Sequence, residues 1–178
     1  MPETISENAR RYREKGEFMN REGQQGTEYH LDSLYQRVVM VHAKNPAGTT
    51  NLRQETVRVE GYNPICGDEL SICLHAQPGA SGTELLEQVQ ILVLGCSICR
   101  ASGSLLWSQI QEKPIEDILK LISHFRDVLS GTTPDEVALG EAAALRGVSR
   151  FPVRIDCALL PWNHLEEALE TLRTAKSS

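Results

Sequence analysis

Residues 63–68 read NPICGD, a stretch that places a thiol and a carboxylate two positions apart in one tight turn. Pro64 stiffens the approach to this turn, and Gly67 permits a close reversal of the chain. Alternating apolar and polar residues lie on both sides, so the stretch is predicted to join two strands of an antiparallel sheet. Cys66 and Asp68 are then expected to point toward the same place.

The segments around this turn predict an α+β domain. Residues 56–60 and 70–76 alternate in polarity, and residues 89–94 form an apolar run long enough for a buried strand. A loop is predicted over 77–83, where Gly, Pro and Ser cluster. Helices are predicted over 31–44, 101–112, 114–131, 134–146 and 161–174. This order indicates a small three-stranded antiparallel sheet with helices packed mainly on one face.

The length, net charge and cysteine content of the chain limit the classes of protein to which it can belong. The chain has 178 residues, and one domain is predicted over 29–178 behind a disordered, charge-rich extension at 1–28. The net charge of −6 and the lack of a basic run argue against a nucleic-acid partner. The sequence contains no run of membrane-spanning length and no secretory signal, which argues against a membrane partner. Its five cysteines are expected to be free thiols in a reducing cytoplasm.

Two further cysteines have informative surroundings. Cys96 follows a predicted strand beside Ser97, a good N-cap residue, and a thiolate at a helix N-terminus is favoured. Cys157 shares a predicted helical turn with Arg154, three residues earlier. The sequence therefore predicts a metal centre formed by three thiolates and one carboxylate, a complete tetrahedral set for Zn²⁺. Its predicted ligands are Cys66, Asp68, Cys96 and Cys157, with Arg154 as the cationic neighbour.

The same cysteines support a rival interpretation. Cys96 and Cys99 form a CxxC pair, which is typical of redox dithiols, or they complete a site with Cys66 and Cys73. Against this, Cys73 falls on the polar face of its predicted strand, where a passive thiol is expected. Cys99 is likewise predicted to be a passive thiol in the first turn of its helix. An ion that only ties the sheet to the helices is a third hypothesis.

Three stretches resemble the IscU/NifU-like iron–sulfur cluster assembly proteins, most closely the SufU branch. They are NPICGD at 63–68, GCSI at 95–98 followed by Ala101 and Ser102, and GVSRFPVRIDC at 147–157. Residues 31–46 also resemble the first helix of that family. The branch is indicated by Asp156, which stands where scaffold-type members carry a histidine, and by the long interval between Cys96 and Cys157.

The resemblance implies a zinc-dependent sulfurtransferase in iron–sulfur cluster assembly. Zinc would be held by Cys66, Asp68, Cys96 and Cys157, and Cys66 would accept persulfide sulfur from a SufS-type, PLP-dependent cysteine desulfurase. Arg154 would help to dock or activate that partner. Such a chain is a sulfur acceptor that stimulates the desulfurase, and it would pass the sulfur to a cluster-building complex. The alternative is a scaffold that assembles a [2Fe–2S] cluster, or binds iron, on the same ligands.

Overall fold

The computed structural model describes residues 26–52, 54–78, 84–111, 113–132 and 137–176. Helix α1 (Gly26–Lys44) is followed by strands β1 (Val57–Asn63), β2 (Asp68–Pro78) and β3 (Glu84–Leu94). The remainder is helical, with α2 (Ser97–Ile110), α3 (Ile115–Ser130), a 3-10 segment (Val137–Arg150) and α4 (Pro152–Lys176). The chain divides into two compact units, Met1–Leu34 and Tyr35–Ser178. Of the first unit, only the helical backbone of residues 26–34 is described.

The three strands form one antiparallel sheet in the order β1-β2-β3, which confirms the predicted α+β class. Val59 pairs with Ile72, and Ile72 pairs with Ile91, so apolar residues of all three strands share one face. These side chains are buried in a single core with apolar residues of α2, α3 and α4. The alternation in β1 and β2 therefore decides which residues at the strand ends face the helices.

The predicted disordered extension at 1–28 lies largely outside the described residues. Helix α1 begins at Gly26, so residues 26–28, the last three of that segment, are helical. The domain boundary placed at 29 stays a prediction. Among the helices that the structure describes, none combines the length and the apolar character needed to cross a bilayer.

The last helix differs from the prediction. The sequence analysis starts a helix at Pro161, because proline is favoured in the first helical turn. In the structure α4 runs without interruption from Pro152 and contains Pro161 in its interior. Pro152 takes the first position instead, and Pro161 is buried beside Gly103 of α2. Tertiary packing thus overrides the local preference, and Cys157 is buried near the start of a long helix.

Ser102 joins α2 to α4 at Ala158, the residue after Cys157. Its buried hydroxyl donates to the Ala158 carbonyl at 2.5 Å and accepts a hydrogen bond from Trp162 Nε1 at 2.9 Å. Trp162 is fully buried and its ring stacks on that of Phe125, with 3.9 Å between centroids. Removing the acceptor of a buried donor lowers the free energy of unfolding by more than an ordinary hydrogen bond contributes to it.

Ser102→Ala is therefore expected to lower the free energy of unfolding by about 1–3 kcal/mol, because the indole N–H is left without its acceptor. Chemical denaturation monitored by circular dichroism measures this change. Thr171→Ala is the matched control, since it removes an exposed hydroxyl that bonds only within α4. The control should change stability by less than about 0.5 kcal/mol. Equal stabilities for the two variants would contradict the assigned role of Ser102.

Candidate metal centre

Cys66 lies at the tip of the turn that joins β1 to β2. The Asn63 carbonyl accepts the Gly67 N–H at 2.8 Å, and the Asn63 Oδ1 accepts the Ile65 N–H at 3.0 Å. Gly67 has a φ of 68°, in the left-handed region that glycine adopts without strain. These features close the turn as predicted and hold the Cys66 thiol partly exposed at one end of the sheet.

Asp68 begins β2 on the face that points toward the helices. Its side chain is fully buried, and its Oδ1 accepts the Cys96 N–H at 2.6 Å. Its Oδ2 lies 3.5 Å from Cys96 Sγ. Cys96, not the predicted Ser97, is the N-cap of α2, and its sulfur accepts the Cys99 N–H at 3.4 Å. The carboxylate therefore has one oxygen engaged with the backbone and the other directed at the thiols.

Gly95 allows this close approach. A Cβ added at Gly95 would meet the Asp68 Oδ1, with Cγ at 2.8 Å and Cβ at 2.9 Å, closer than real Cβ contacts allow. Because two of these atoms belong to the short, rigid base of the Asp68 side chain, the carboxylate itself would have to move. Gly95 is thus required because a side chain would not fit beside Asp68, and not because of its backbone conformation.

Gly95→Ala is expected to weaken metal binding by about 10–100-fold, since it displaces a carboxylate from its buried position. Competition between the protein and a chromogenic chelator for zinc measures the affinity. Gly147→Ala is a suitable control, because a Cβ at Gly147 meets nothing within 4 Å. Equal zinc affinities in the two variants would show that Asp68 tolerates the added methyl group.

Cys157 approaches the turn from α4. Its Sγ is fully buried and lies 3.0 Å from Cys66 Sγ, across 91 residues of sequence. The ligand atoms of Cys66, Asp68 and Cys157 all lie within 4.8 Å of one another, and Cys96 adjoins them through Asp68. Arg154 Nη1 lies 3.8 Å from Cys66 Sγ on the exposed side. The structure thus brings Cys66, Asp68 and Cys157 into one group with Arg154 beside Cys66, while Cys96 lies next to this group through its contact with Asp68.

The charges at this site favour a bound cation. Burial raises the pKa of the Cys157 thiol far above its ordinary value, and the neighbouring Cys66 and Asp68 raise it further. The Cys157 thiol and the charge of Cys66 raise the pKa of Arg154. Anionic side chains crowded into a buried place are costly unless a positive charge compensates them. Two sulfurs and one carboxylate oxygen, with the Cys96 sulfur beside the carboxylate, suit zinc or iron, so these donors fit a metal ion.

The other two cysteines lie outside this group. Cys99 is fully buried in the apolar core, and burial raises the pKa of its thiol strongly, with Asp68 and Cys96 adding to the effect. Cys73 lies on the opposite face of the sheet, as the alternation predicts, so a joint site with Cys66 does not form. It is nevertheless only 1% exposed, because Ser71, Arg58 and Glu55 surround it. Both thiols have the buried, unreactive surroundings of passive cysteines.

Exposed apolar side chains occur on the same segments as the site residues. Large hydrophobic residues with at least half of their surface exposed include Tyr62, Ile65, Leu94, Phe151 and Val153. Ile65 precedes Cys66, and Val153 precedes Arg154. We call these five side chains the apolar rim. Exposed apolar side chains on the segments that carry the site are available for contact with a partner protein.

Comparison with known proteins identifies one family that matches most of this chain. Residues 34–171 match the family model described as the NifU-like N terminal domain. The zinc-dependent sulfurtransferase SufU of Bacillus subtilis is 37% identical over 140 residues, which cover 78% of this chain and 91% of that protein. The iron–sulfur cluster assembly scaffold protein IscU of Streptococcus pyogenes is 33% identical over 147 residues, covering 82% and 89% respectively.

Solved structures agree with the sequence relatives. A putative iron–sulfur cluster assembly scaffold protein for the SUF system from Fervidobacterium islandicum has a TM-score of 0.68 at 27% identity, covering 74% of this chain and 93% of that chain. The N-terminal part of a NifU-like protein from Brucella abortus has a TM-score of 0.70 at 14% identity, covering 80% and 96%. The second likeness concerns the fold alone.

Proposed function

This chain belongs to the family of NifU-like N-terminal domains, and from that premise we propose that it is a zinc-dependent sulfurtransferase in iron–sulfur cluster assembly. One observation carries the proposal. The partly exposed Cys66 sulfur lies 3.0 Å from the buried Cys157 sulfur and beside the Arg154 guanidinium. A partly exposed thiol is thus backed by groups that suit a metal ion.

In this proposal zinc is held by Cys66, Asp68, Cys96 and Cys157. Zinc keeps its thiolate ligands deprotonated at neutral pH, and such thiolates remain nucleophilic. Buried Cys157 and Asp68 are the groups best placed to stay on the metal. Cys66 is the ligand that a sulfur donor can reach, because it alone of these sulfurs lies at the tip of an exposed turn.

The reaction we propose is a transfer of sulfane sulfur to Cys66. The Cys66 thiolate attacks the outer sulfur of a cysteine persulfide carried by the donor protein. A new S–S bond forms to Cys66, the donor S–S bond breaks, and the donor cysteine leaves as a thiolate with the electron pair. No external oxidant or reductant is needed. Arg154 is placed to stabilise the negative charge that accumulates between the two sulfurs.

The donor we propose is a PLP-dependent cysteine desulfurase of the SufS type. The apolar rim, which lies on the same segments as the site residues, and the exposed guanidinium of Arg154 offer such a partner contacts near the acceptor thiol. The persulfide sulfur would then pass from Cys66 to a cluster-building complex. Free thiols at the reactive centre fit the reducing cytoplasm that the sequence predicts.

The test combines the zinc-loaded chain with a SufS-type desulfurase and cysteine. We expect faster alanine release than with the desulfurase alone, and a mass increase of one sulfur atom on the peptide that contains Cys66. Chain stripped of metal by a chelator should lose both effects and recover them when zinc is restored. Unchanged alanine release, or sulfur on another cysteine, would count against the proposed function.

The second candidate function is a scaffold for a [2Fe–2S] cluster, favoured by the same three thiolates, which suit iron as well as zinc. Anaerobic reconstitution with iron and sulfide distinguishes the two. A scaffold should give a coloured cluster that survives an equimolar amount of zinc. A sulfurtransferase should lose any such colour as zinc replaces the iron.

A further inference from the structure

Asn63 touches the metal centre but is not among its predicted ligands. It is the last residue of β1, pairs with Asp68 across the turn, and is only 4% exposed. The residues at 57, 59, 61 and 63 share one face of β1, so Asn63 points toward the helices. Its Nδ2 lies 3.5 Å from Cys157 Sγ, across 94 residues of sequence.

The orientation of this side-chain amide follows from its partners. The Ile65 backbone N–H is only a donor, so the atom of Asn63 that faces it at 3.0 Å must be the amide oxygen. The amide nitrogen therefore faces Cys157, and one of its protons is available to the sulfur. A single side chain thus closes the turn that carries Cys66 and donates a hydrogen bond to a second sulfur of the site.

The three sulfurs consequently differ in their hydrogen bonds. Cys157 Sγ accepts from the amide of Asn63, and Cys96 Sγ accepts from the backbone N–H of Cys99. In the part of the chain that the structure describes, the hydrogen-bond contacts of Cys66 Sγ are with the Cys157 thiol and with the Arg154 side chain. Arg154 is exposed, its Nη1 lies 3.8 Å from Cys66 Sγ, and its side chain also hydrogen-bonds Cys157.

This difference has a chemical consequence. A fixed N–H donor draws negative charge away from a thiolate and holds it in place, which lowers its reactivity toward electrophiles and favours its retention on a metal. Cys157 and Cys96 have such a donor, from a buried side chain and from the backbone, whereas Cys66 has only the exposed Arg154 guanidinium. We propose that Asn63 is a positioning residue that reserves Cys157 for the metal, so that incoming sulfur is accepted at Cys66. This inference rests on the proposed function and specifies how its site directs the reaction.

Asn63→Ser removes the donor with little change to the turn, because a serine hydroxyl can also accept the Ile65 N–H. In the zinc-loaded full chain we expect iodoacetamide to modify Cys157 about tenfold faster than in the wild type, with Cys66 little changed. Peptide mass spectrometry measures both rates. Asn163→Ser, an exposed substitution on α4, is the matched control and should leave both rates unchanged. A folded Asn63→Ser chain whose Cys157 reacts as slowly as in the wild type overturns the proposal, because burial alone would then protect that sulfur.

A second measurement uses the wild-type chain and does not depend on a variant that folds. The nitrogen-labelled chain is loaded with an NMR-active cadmium isotope in place of zinc. A coupling between cadmium and a side-chain amide proton of Asn63 is expected, because the coupling passes through the N–H···S hydrogen bond to a metal-bound sulfur. Absence of this coupling, with an Asn63 amide that exchanges freely with water, overturns the proposal.

Neither readout involves a desulfurase or a persulfide. A chain that fails to accept sulfur but shows both effects would refute the proposed function. It would still support the role of Asn63 in making the metal-bound thiolates differ in reactivity. A chain that accepts sulfur on Cys66 but shows neither effect would refute only the role of Asn63.

Discussion

Cys66→Ser is expected to abolish sulfur acceptance while leaving the fold intact. The side chain lies partly exposed at the tip of a turn, and the turn is closed by backbone and Asn63 hydrogen bonds that do not involve the thiol. A serine hydroxyl is not deprotonated at neutral pH, so the variant lacks the nucleophile that accepts sulfur. Stimulation of the desulfurase should therefore fall by about a hundredfold or more. Alanine release and persulfide mapping measure the loss.

Cys73→Ser is the matched control for this variant. Cys73 lies on the opposite face of the sheet, where Ser71 and Arg58 supply polar neighbours for a hydroxyl. It should retain wild-type stimulation and zinc content. If Cys66→Ser stimulates as well as Cys73→Ser does, Cys66 is not the acceptor.

Asp68→Ala is expected to produce the largest loss of metal affinity. The substitution removes a proposed ligand oxygen and also the acceptor of the Cys96 N–H at the start of α2. We expect zinc affinity to fall by about 100-fold or more, since ligand and supporting hydrogen bond are lost together. Competition against a chelator of known affinity measures the change.

Asp68→Asn separates the two contributions. Its amide oxygen can still accept the Cys96 N–H, but the anionic ligand is gone, so the loss should be intermediate, about tenfold. Asp156→Asn is the control, because it removes the same charge from an exposed carboxylate that lies next to Cys157 in sequence. Wild-type zinc affinity in Asp68→Asn would mean that the carboxylate is not a ligand.

Much of the site could be predicted because its parts are local. The turn at 63–68 is encoded by Pro64 and Gly67, and the alternation of Leu70, Ile72 and Leu74 places Asp68 on the helix-facing side of β2. The strand-to-helix junction at Cys96 is equally local. Each of these features depends on neighbours within a few residues, which is the range over which sequence patterns are informative.

The remaining features depend on contacts distant in sequence. The N-cap is Cys96 rather than Ser97, because Asp68, 28 residues away, accepts the Cys96 backbone N–H. Local rules place a helix start at Pro161, yet burial of this residue beside α2 keeps it inside α4. The role of Asn63 was missed for the same reason. In the sequence, the role proposed for Asn63 is indicated only by its odd-numbered position in β1, which places a polar side chain on the buried face.

The central claim is that Cys66, Asp68, Cys96 and Cys157 hold one zinc ion. X-ray absorption at the zinc edge of the purified, zinc-loaded chain tests it most directly. The account predicts three sulfur ligands at about 2.3 Å and one oxygen ligand at about 2.0–2.2 Å. A shell of four sulfurs, which would bring in Cys99 or Cys73, or a shell containing histidine nitrogen, would contradict it.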